Sequence, residues 1–511
     1  MLRRLGTMIA ATCLPLAMAG SAFAQEAVLR PSADEARGHI VEPIEPVRRD
    51  GVDPFGRGAV AVVLTVDADG RVTDARPESA GGADTPADDT VAEALANARE
   101  ARFEPFTRDG VARAAVVTVP VWVLPPERAR SRRVPFPAGD GRAAVIRLER
   151  TGCFGTCPSY TVEIGGDGRV TYTGEGYVAV EGVRRERIAP EAVEALIERF
   201  RQADFFSLDD EYVAGVTDNP TYVVSLTIGG RTKRVIDYVG SETGMPFSVV
   251  RLEQAIDRAA GTQAWIDGDA TTARRLEAGG YDFTSAAAGR ALTWMAWEGS
   301  EDAALEFVAR GAPLIADNGD EGFGARRSAL EGAAFHGRSR LVRALIERGA
   351  LARPGAAESA LAAAARSRDA AVLDIVLDAA TFDRRQLGRA LTAALNEAAW
   401  SDPERDPGPV VERLLALDAD VTVPDGEGRT PLHGAATPEM VRRLLAMGAD
   451  IEARTEYGDT PVTSAFDEDV ILALIDAGAD VTVQPDYSAG VRETAEEYHL
   501  TRVLERLNRG R

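Results

Sequence analysis

The sequence predicts a multidomain chain in which two small α+β domains precede an all-α solenoid of helical repeats. Three observations support this fold class. The 511 residues are too many for a single hydrophobic core. Residues 25–265 combine alternating β-type runs with single helical stretches, whereas residues 266–511 are rich in alanine and helical in pattern. In that second half a Gly-Ala, Asp-Ala or Gly-Gly pair recurs at spacings of 29 to 40 residues, which is typical of a repeat protein.

The N-terminus has the three parts of a signal peptide. Arg3 and Arg4 supply the positive charge, Leu5–Met18 is apolar, and Ala22-Phe23-Ala24 is a small-residue cleavage site. We therefore expect residues 1–24 to be removed and the mature protein to be periplasmic or secreted, without stable membrane insertion. An uncleaved anchor is the alternative, because the apolar stretch is almost long enough to span a bilayer.

Residues 25–125 are predicted to form the first α+β domain, after a loose lead-in up to about residue 50. The order strand, strand, helix, strand is accompanied by the sequences Val-Asp-Ala-Asp-Gly-Arg-Val and Arg-Phe-Glu-Pro-Phe, and it resembles the C-terminal domain of TonB-like envelope proteins. The resemblance implies a protein-binding fold. The sequence departs from energy-transducing TonB because it lacks the Pro-rich spacer, so the resemblance leaves energy coupling open. The predicted elements are strands at Ala59–Val66 and Arg71–Arg76 around an Asp67–Gly70 turn, a helix at Val91–Ala101 and a β-run at Val111–Leu124.

Residues 126–144 have the composition of a linker. Arginine alternates there with proline, and nothing in the pattern is periodic. A solvated linker is one interpretation, and docking of the arginines on anionic lipid or on the acidic half of the chain is the other. The arginines concerned are Arg128, Arg130, Arg132 and Arg133.

Residues 145–265 are predicted to form the second α+β domain. Tyr160, Val162 and Ile164 alternate before a Gly-Asp-Gly turn, which indicates a hairpin with one buried face. Pro190 opens an amphipathic helix, a second hairpin follows, and a closing helix begins near Ser248. The opening Cys-Phe-Gly-Thr-Cys-Pro-Ser-Tyr and the terminal tryptophan resemble a bacterial family catalogued only as a domain of unknown function. This resemblance implies no activity.

Two cysteines in this domain form the sharpest local motif of the chain. Cys13 would leave with the signal peptide, so Cys153 and Cys157 are the cysteines of the mature protein. In an extended strand their Cα atoms would lie roughly 13 Å apart, beyond the 7 Å or so that a disulfide tolerates. A bond between them therefore needs a turn, which Gly155 permits.

Three interpretations of the cysteine pair stay open. A structural disulfide is favoured by an oxidising compartment and by proximity. A copper-relay site is the second, because Cys-x3-Cys-Pro resembles the copper motif of Sco-type proteins. Those proteins need a downstream histidine in the same domain, and none occurs between Cys157 and His336. A redox-active pair is the third, although thioredoxin-like enzymes use two intervening residues.

Residues 266–511 contain the signature of a known repeat. Thr430, Pro431, Leu432, His433 and Ala435 fit the pattern T-P-L-H-x-A, and its opening returns 30 residues later at Thr460-Pro461. The segment therefore resembles ankyrin repeats, less regularly between residues 311 and 381. The resemblance implies a solenoid with a concave protein-binding face, in which the signature histidine links neighbouring turns. Residues 491–507 are predicted to form a terminal capping helix.

The charge of the chain bears on its partners. The formal net charge is −22, and it would be −24 after loss of the signal peptide. Nucleic acid is therefore excluded as a partner, because phosphate binding needs clustered positive charge. The segment Leu414–Glu505 alone holds 19 acidic residues and 6 arginines. A basic protein partner for the ankyrin repeats explains this excess, and so does a soluble acidic surface that needs no partner.

Motifs for catalysis are missing from the sequence. We find no G-x-S-x-G elbow, no H-E-x-x-H pair and no phosphate loop, and the four histidines are scattered along the chain. We therefore predict a protein-binding or scaffold protein that is not an enzyme and uses no cofactor or metal. The alternative function is a thiol-redox or copper-handling protein that uses Cys153 and Cys157.

Overall fold

The computed structural model of the chain divides into two compact units, Met1–Leu124 and Pro125–Arg511. The predicted signal peptide, residues 1–24, lies outside the described residues. Among the described helices, none is both long and apolar enough to cross a bilayer. The structure describes residues 28–29, 31, 36, 39–52, 58–78, 87–108, 111–315, 328–396 and 406–509.

The main elements of the described part of the first unit are a four-stranded sheet, a separate strand pair and a helix. Its elements are β1 (Val47–Arg48), β2 (Ala59–Val66), β3 (Val72–Pro77), α1 (Asp88–Arg99), β4 (Phe106–Arg108), β5 (Val111–Arg113) and β6 (Ala115–Leu124). The strand order is β1-β6-β2-β3, with β6 antiparallel to β2 and β1 parallel to β6. Helix α1 packs against β2 and β3, and β4 pairs separately with β5. A sheet-rich N-terminal region is thereby confirmed. The segment before residue 50, which was expected to be a loose lead-in, contains β1, and two residues are too few to show the alternation typical of a strand.

The turn between β2 and β3 is built by Asp67. Its carboxylate accepts hydrogen bonds from the backbone N–H groups of Asp69 and Arg71 at 2.9 and 2.8 Å. Gly70 has a φ of 80°, in the left-handed region that glycine favours. A Cβ at this position would lie 1.9 Å from the carbonyl oxygen of Phe103. The turn therefore requires glycine on both conformational and steric grounds.

The second unit begins with a seven-stranded sheet. The strand order is β10-β9-β8-β7-β12-β13-β11, antiparallel throughout except that β11 runs parallel to β13. The strands are β7 (Val145–Arg150), β8 (Ser159–Gly165), β9 (Arg169–Gly176), β10 (Gly182–Arg187), β11 (Glu211–Val213), β12 (Tyr222–Ile228) and β13 (Arg231–Tyr238). Both predicted hairpins are thus parts of one sheet.

Two helices cover one face of this sheet. They are α2 (Pro190–Gln202) and α3 (Phe247–Ala260). The predicted apolar stripe of α2 is buried, and so are alternate residues of β7, β8 and β12, because successive strand residues point to opposite faces. The buried stripe consists of Val193, Leu196, Ile197 and Phe200.

Residues 126–144, one interpretation of which is a solvated linker, instead lie along the sheet domain. The backbone of Arg128 donates to the carbonyl of Gly244 at 2.7 Å, and that of Val134 donates to the Ser207 hydroxyl at 2.8 Å. Phe136 packs edge-on against the ring of Phe206 at a centroid distance of 5.5 Å. The segment is therefore a bound strap, held by two apolar side chains among its arginines and prolines.

The rest of the second unit is helical, which confirms the helical repeat region. The helices pair in succession, and each pair packs on the next. They are α4 (Gln263–Ile266), α5 (Thr272–Ala278), α6 (Ala286–Trp297), α7 (Glu301–Ala309), α8 (Ala329–Phe335), α9 (Ser339–Glu347), α10 (Ala356–Arg366), α11 (Ala370–Ala379), α12 (Arg384–Asn396), α13 (Gly408–Ala416), a short 3-10 helix (Pro431–Gly434), α14 (Pro438–Ala446), α15 (Pro461–Ser464), α16 (Glu468–Asp476), α17 (Val491–Glu497) and α18 (Thr501–Arg509).

The two repeats at the regular 30-residue spacing share a short first helix. The first helix of each of these two repeats is only four residues long. It is Pro431–Gly434 in one repeat and α15 in the next. The first helices α6 and α12 of earlier repeats have 12 and 13 residues. The second helices α14 and α16 keep nine residues each. In these two repeats the first helix is therefore reduced to about one turn, while the second helix keeps its length.

The predicted single capping helix is a pair of helices. Between α17 and α18 the chain turns at Tyr498–Leu500, where His499 has a φ of 56°. A helix cannot continue through a left-handed residue. The terminal segment is therefore a last helical pair, with Val491, Ala495 and Val503 buried against the stack.

Acid–arginine pairs connect the second helices of neighbouring repeats. Arg340 contacts Glu301 at 2.8 Å, and Arg502 contacts Glu468 at 2.7 Å. The same Glu468 carboxylate accepts the backbone N–H of Arg502, at the beginning of α18. An acid at a helix N-terminus is favourable because the first N–H groups lack intrahelical partners. Further pairs of this type are Arg413 with Asp374 and Arg506 with Asp476.

The sheet domain covers the N-terminal end of the helical stack. The backbone N–H groups of Ala179 and Val180 donate to the carbonyls of Ile266 and Trp265 at 2.7 and 2.9 Å. The guanidinium of Arg275 on α5 lies 4.1 Å from the centroid of the buried Trp265 ring. Sheet domain and repeats share one continuous apolar core, so Trp265 lies at the junction of the two.

We predict that Trp265→Ala loosens both sides of this junction. Loss of the buried ring should lower the free energy of unfolding by about 3–5 kcal/mol. Hydrogen exchange followed by mass spectrometry should show faster exchange in β9 and in α5–α6. Trp122→Ala, which removes a half-exposed ring from the first unit, serves as the control. Faster exchange on one side only would contradict a shared core.

Candidate functional site

A row of polar side chains crosses the covered face of the sheet at one end. Tyr160 on β8 lies opposite Arg150 on β7, Arg150 lies opposite Tyr222 on β12, and Tyr222 lies opposite Asp237 on β13. Directly opposed residues point to the same face of a sheet. The four side chains therefore lie side by side beneath α3, and they are called the polar row here.

Helix α3 places two carboxylates over the polar row. Glu253 and Asp257 are one turn apart and so share a helix face. Tyr160 donates its hydroxyl hydrogen to Asp257 at 2.8 Å, and Thr262 donates to the other oxygen of Asp257 at 2.9 Å. The guanidinium of Arg150 lies 5.0 Å from the centroid of the Tyr222 ring. The polar row and the two carboxylates of α3 form one cluster. It contains three carboxyl groups, those of Asp237, Glu253 and Asp257, and the guanidinium of Arg150.

Burial shifts the pKa values of these carboxyl groups upward. Desolvation raises the pKa of Asp237 to about 6, against the hydrogen bond that it accepts from the backbone N–H of Gly240. Desolvation also raises the pKa of Asp257 to about 6, against its bonds from Tyr160 and Thr262. The pKa of Glu253 is raised well above its usual value by burial and then by the two aspartates, while Arg150 lowers it.

Three buried side-chain atoms mark this cluster as incompletely satisfied. Arg150 Nε, Glu253 Oε1 and the hydroxyl of Tyr172 are among the described buried atoms that have no hydrogen-bond partner. Unpaired polar atoms in an interior cost free energy, and they often bind ordered water. The arrangement therefore suits proton uptake by largely buried carboxyl groups.

The cysteine loop connects two neighbouring members of the polar row, Arg150 and Tyr160. It leaves β7 after Arg150 and enters β8 just before Tyr160. In the structure Cys153 and Cys157 are bonded, with their Cα atoms 5.5 Å apart. The intervening Phe154 is 88% exposed. The loop thus presents an aromatic ring to solvent next to a buried charge cluster.

The copper interpretation of the loop requires a third ligand. Among the described residues, no three histidine, cysteine, aspartate or glutamate side chains converge as a metal site would require. His336, the next histidine in sequence, is the residue that follows α8 in the repeats. The geometry of the described loop therefore suits a surface cross-link.

The residues of the ankyrin signature form a turn motif. Thr430 and His433 bond reciprocally, and the backbone N–H of Thr430 donates to His433 Nδ1 at 3.0 Å. His433 Nε2 lies 3.4 Å from the carbonyl oxygen of Asp459 in the next turn. Burial lowers the pKa of His433, so the ring is neutral at pH 7. Pro431, Leu432 and Ala435 are buried beside it.

The polar row was not predicted from sequence. Arg150 is brought next to Tyr222 and Asp237 by the pairing of β7 with β12, which are more than 70 residues apart in sequence, and no local pattern reveals this pairing. One signal was present. Glu253 falls within the apolar stripe of α3, between Val249 and Ile256 at helical spacing. A carboxylate in such a stripe indicates a buried polar cluster.

Two family models match the chain in separate segments. Residues 144–260 match a family described as a domain of unknown function, DUF6438. Residues 395–485 match a family described as ankyrin repeats in three copies. The C-terminal region therefore carries ankyrin repeats.

One solved structure and the curated proteins complete the comparison. The chain is similar to the ankyrin repeat domain of Bcl-3, described as a unique member of the IkappaB protein family, with 24% identity and a TM-score of 0.27. The similarity covers 42% of this chain and 97% of that one. No curated protein matches the chain.

We predict that the sheet domain becomes more stable as the pH falls from 7.5 to about 5. An acid whose pKa is raised in the folded state binds its proton more tightly there, so folding is favoured below that pKa and disfavoured above it. For Asp237, a pKa near 6 corresponds to a penalty on the order of 3 kcal/mol at neutral pH. Asp237→Asn should remove this penalty and should therefore stabilise the protein at pH 7.5 but not at pH 4.

Urea unfolding at a series of pH values measures this effect. Glu163→Gln, on the exposed face of the same sheet, is the matched control and should keep the pH slope of the parent protein. If Asp237→Asn is equally destabilised at every pH, the aspartate stabilises the fold by its hydrogen bonds and the expected penalty is not present.

We predict that Cys157→Ser lowers the free energy of unfolding of the sheet domain by about 2 kcal/mol. A bond that closes a loop of five residues restricts the unfolded chain to that extent. Urea unfolding of the oxidised, the reduced and the substituted protein measures it. The reduced parent protein should match Cys157→Ser, and a serine variant as stable as the oxidised protein would show that the bond does not form.

Proposed function

We propose that this chain is an exported, non-enzymatic scaffold that binds a protein partner through its ankyrin repeats. The observation that carries the proposal is the ankyrin stack itself, with its signature turn and its family match over residues 395–485. A stack of repeats exposes an extended surface of turns and helices, which suits recognition of another protein.

The proposal of export rests on the N-terminal sequence. Arg3, Arg4, the apolar run and the Ala22-Phe23-Ala24 site have the pattern of a cleaved signal peptide. A protein with two neighbouring cysteines and no others after cleavage suits an oxidising compartment. We therefore propose a periplasmic or secreted location.

The absence of catalysis is part of the proposal. It is supported by the carboxylate of Asp257 on α3, which is buried and accepts hydrogen bonds from Tyr160 and Thr262. It is also supported by the role of His433, whose two ring nitrogens face turn atoms. Catalytic acids and bases need access to a substrate.

A thiol-redox or copper-handling role is the second candidate. One observation favours it, because the exposed Phe154 places the bond between Cys153 and Cys157 at an accessible surface. Thiol counting on protein exported from its native host tests it. Stoichiometric free thiols, or bound copper that Cys157→Ser abolishes, would support this candidate over a structural bond.

The scaffold function is tested by site-specific photo-crosslinking in the native host. A photoreactive amino acid replaces Met447 or Leu417, which are half-exposed on the repeats. Matched positions on the exposed face of the sheet domain are Thr232 and Arg234. We expect a discrete adduct with another protein from the repeat positions. Adducts from the sheet positions alone would place binding on the other domain, and no adduct from either set would contradict the scaffold function.

A further inference from the structure

The turns between the last repeats carry two exposed tyrosines side by side. The turn edge is defined here as residues 425–429, 455–459 and 485–488, which occupy equivalent places in three consecutive repeats. The rings of Tyr457 and Tyr487 meet at a centroid distance of 5.9 Å and an angle of 78°. They are 44% and 86% exposed. Tyrosine supplies contact area to interfaces at low entropic cost, so an exposed pair is a candidate contact.

The turn edge is held in place by its own backbone. The N–H of Glu456 donates to the carbonyl of Glu427 at 2.8 Å, and the N–H of Asp486 donates to the carbonyl of Tyr457 at 2.9 Å. Each turn is therefore bonded to its neighbour. A surface that is already ordered loses little entropy on binding, so the two rings present a preformed contact.

Negative charge is concentrated around the tyrosines. The segments 418–430, 448–460 and 478–490 hold ten acidic residues and two arginines. Of these acids, Asp425 and Glu427 pair with Arg429, and Asp418 pairs with Arg384. Glu456 and Asp486 flank the tyrosines, are exposed, and form no ion pair with any described residue. The field at the turn edge therefore favours a cationic partner.

We propose that the turn edge binds an arginine-bearing segment of another protein. The guanidinium groups stack on Tyr457 and Tyr487, and their N–H groups donate to Glu456 and Asp486. A planar guanidinium combines stacking with hydrogen bonds in a fork, which an ammonium group does not. This inference rests on the proposed scaffold function and specifies the chemistry of the partner.

Titration of labelled synthetic peptides tests the proposal. The probes are a peptide with four arginines in a Gly-Ser background and its lysine and glutamate counterparts, and the readout is fluorescence anisotropy with the chain that lacks residues 1–24. We expect the arginine peptide to bind more tightly than the lysine peptide, and the glutamate peptide not to bind. The double variant Y457A/Y487A should weaken arginine binding about tenfold, as two exposed cation–π contacts predict.

The matched control is a second exposed aromatic pair on the same repeats. The rings of Phe466 and Tyr498 meet at 5.7 Å and are 63% and 54% exposed, but they lie where the first helix of each repeat meets the second. F466A/Y498A should leave arginine binding unchanged. The isosteric variant E456Q/D486N should weaken binding and reduce its salt dependence, with an unchanged circular dichroism spectrum.

Two results would overturn the proposal. One is that the arginine and lysine peptides bind with equal affinity and that Y457A/Y487A does not change this affinity. This result would mean that cationic peptides are attracted generally to an acidic protein. The other is no binding of the arginine peptide at all. If photo-crosslinks from Met447 or Leu417 are nevertheless obtained, the scaffold function stands and only the arginine chemistry fails.

Discussion

Each ankyrin repeat buries its apolar face only against a neighbour, so the whole second unit depends on how the two ends of the stack are covered. At the N-terminal end this is done by the sheet domain, through the backbone bonds to Ile266 and Trp265 and the stacking of Arg275 on the indole. At the C-terminal end it is done by α17 and α18. The sheet domain therefore serves as the cap of the first repeat. Without it, residues 266–511 would expose the apolar end of the stack.

The polar row lies in the same sheet domain, but its residues are polar or charged, unlike the apolar residues that join this domain to the repeats. Most of the covered sheet face is apolar, yet at one end Arg150, Asp237, Glu253 and Asp257 share an interior. Buried charges of this kind seldom add stability, because desolvation offsets their attraction. The nearby cross-link between Cys153 and Cys157 restrains the loop that joins two strands of the row. Arg150 and Tyr160 are also held opposite each other by the pairing of β7 with β8.

Sequence patterns predicted those parts of the fold that are local. The alternation at Tyr160, Val162 and Ile164 gave the first hairpin, and Thr430 to Ala435 gave the ankyrin turn, since both depend on neighbouring residues. The strap was interpreted as a linker because arginine and proline outnumber its anchors Val134 and Phe136. The turn at His499 was not predicted, because the left-handed backbone conformation of a histidine does not interrupt the helical spacing of the apolar residues around it. Of the candidate site, only Glu253 carried a signal, and its partners are assembled by long-range strand pairing.

The acid–arginine pairs between repeats all have the same order along the chain. In each pair the acid belongs to one repeat and the arginine to the repeat that follows it. The last helix departs from this pattern. Its Arg502 and Arg506 face backward to Glu468 and Asp476, while its Glu505 pairs with Arg509 of the same helix. Among the described residues, the series of pairs between repeats therefore closes within the last helix, where Glu505 and Arg509 neutralise each other.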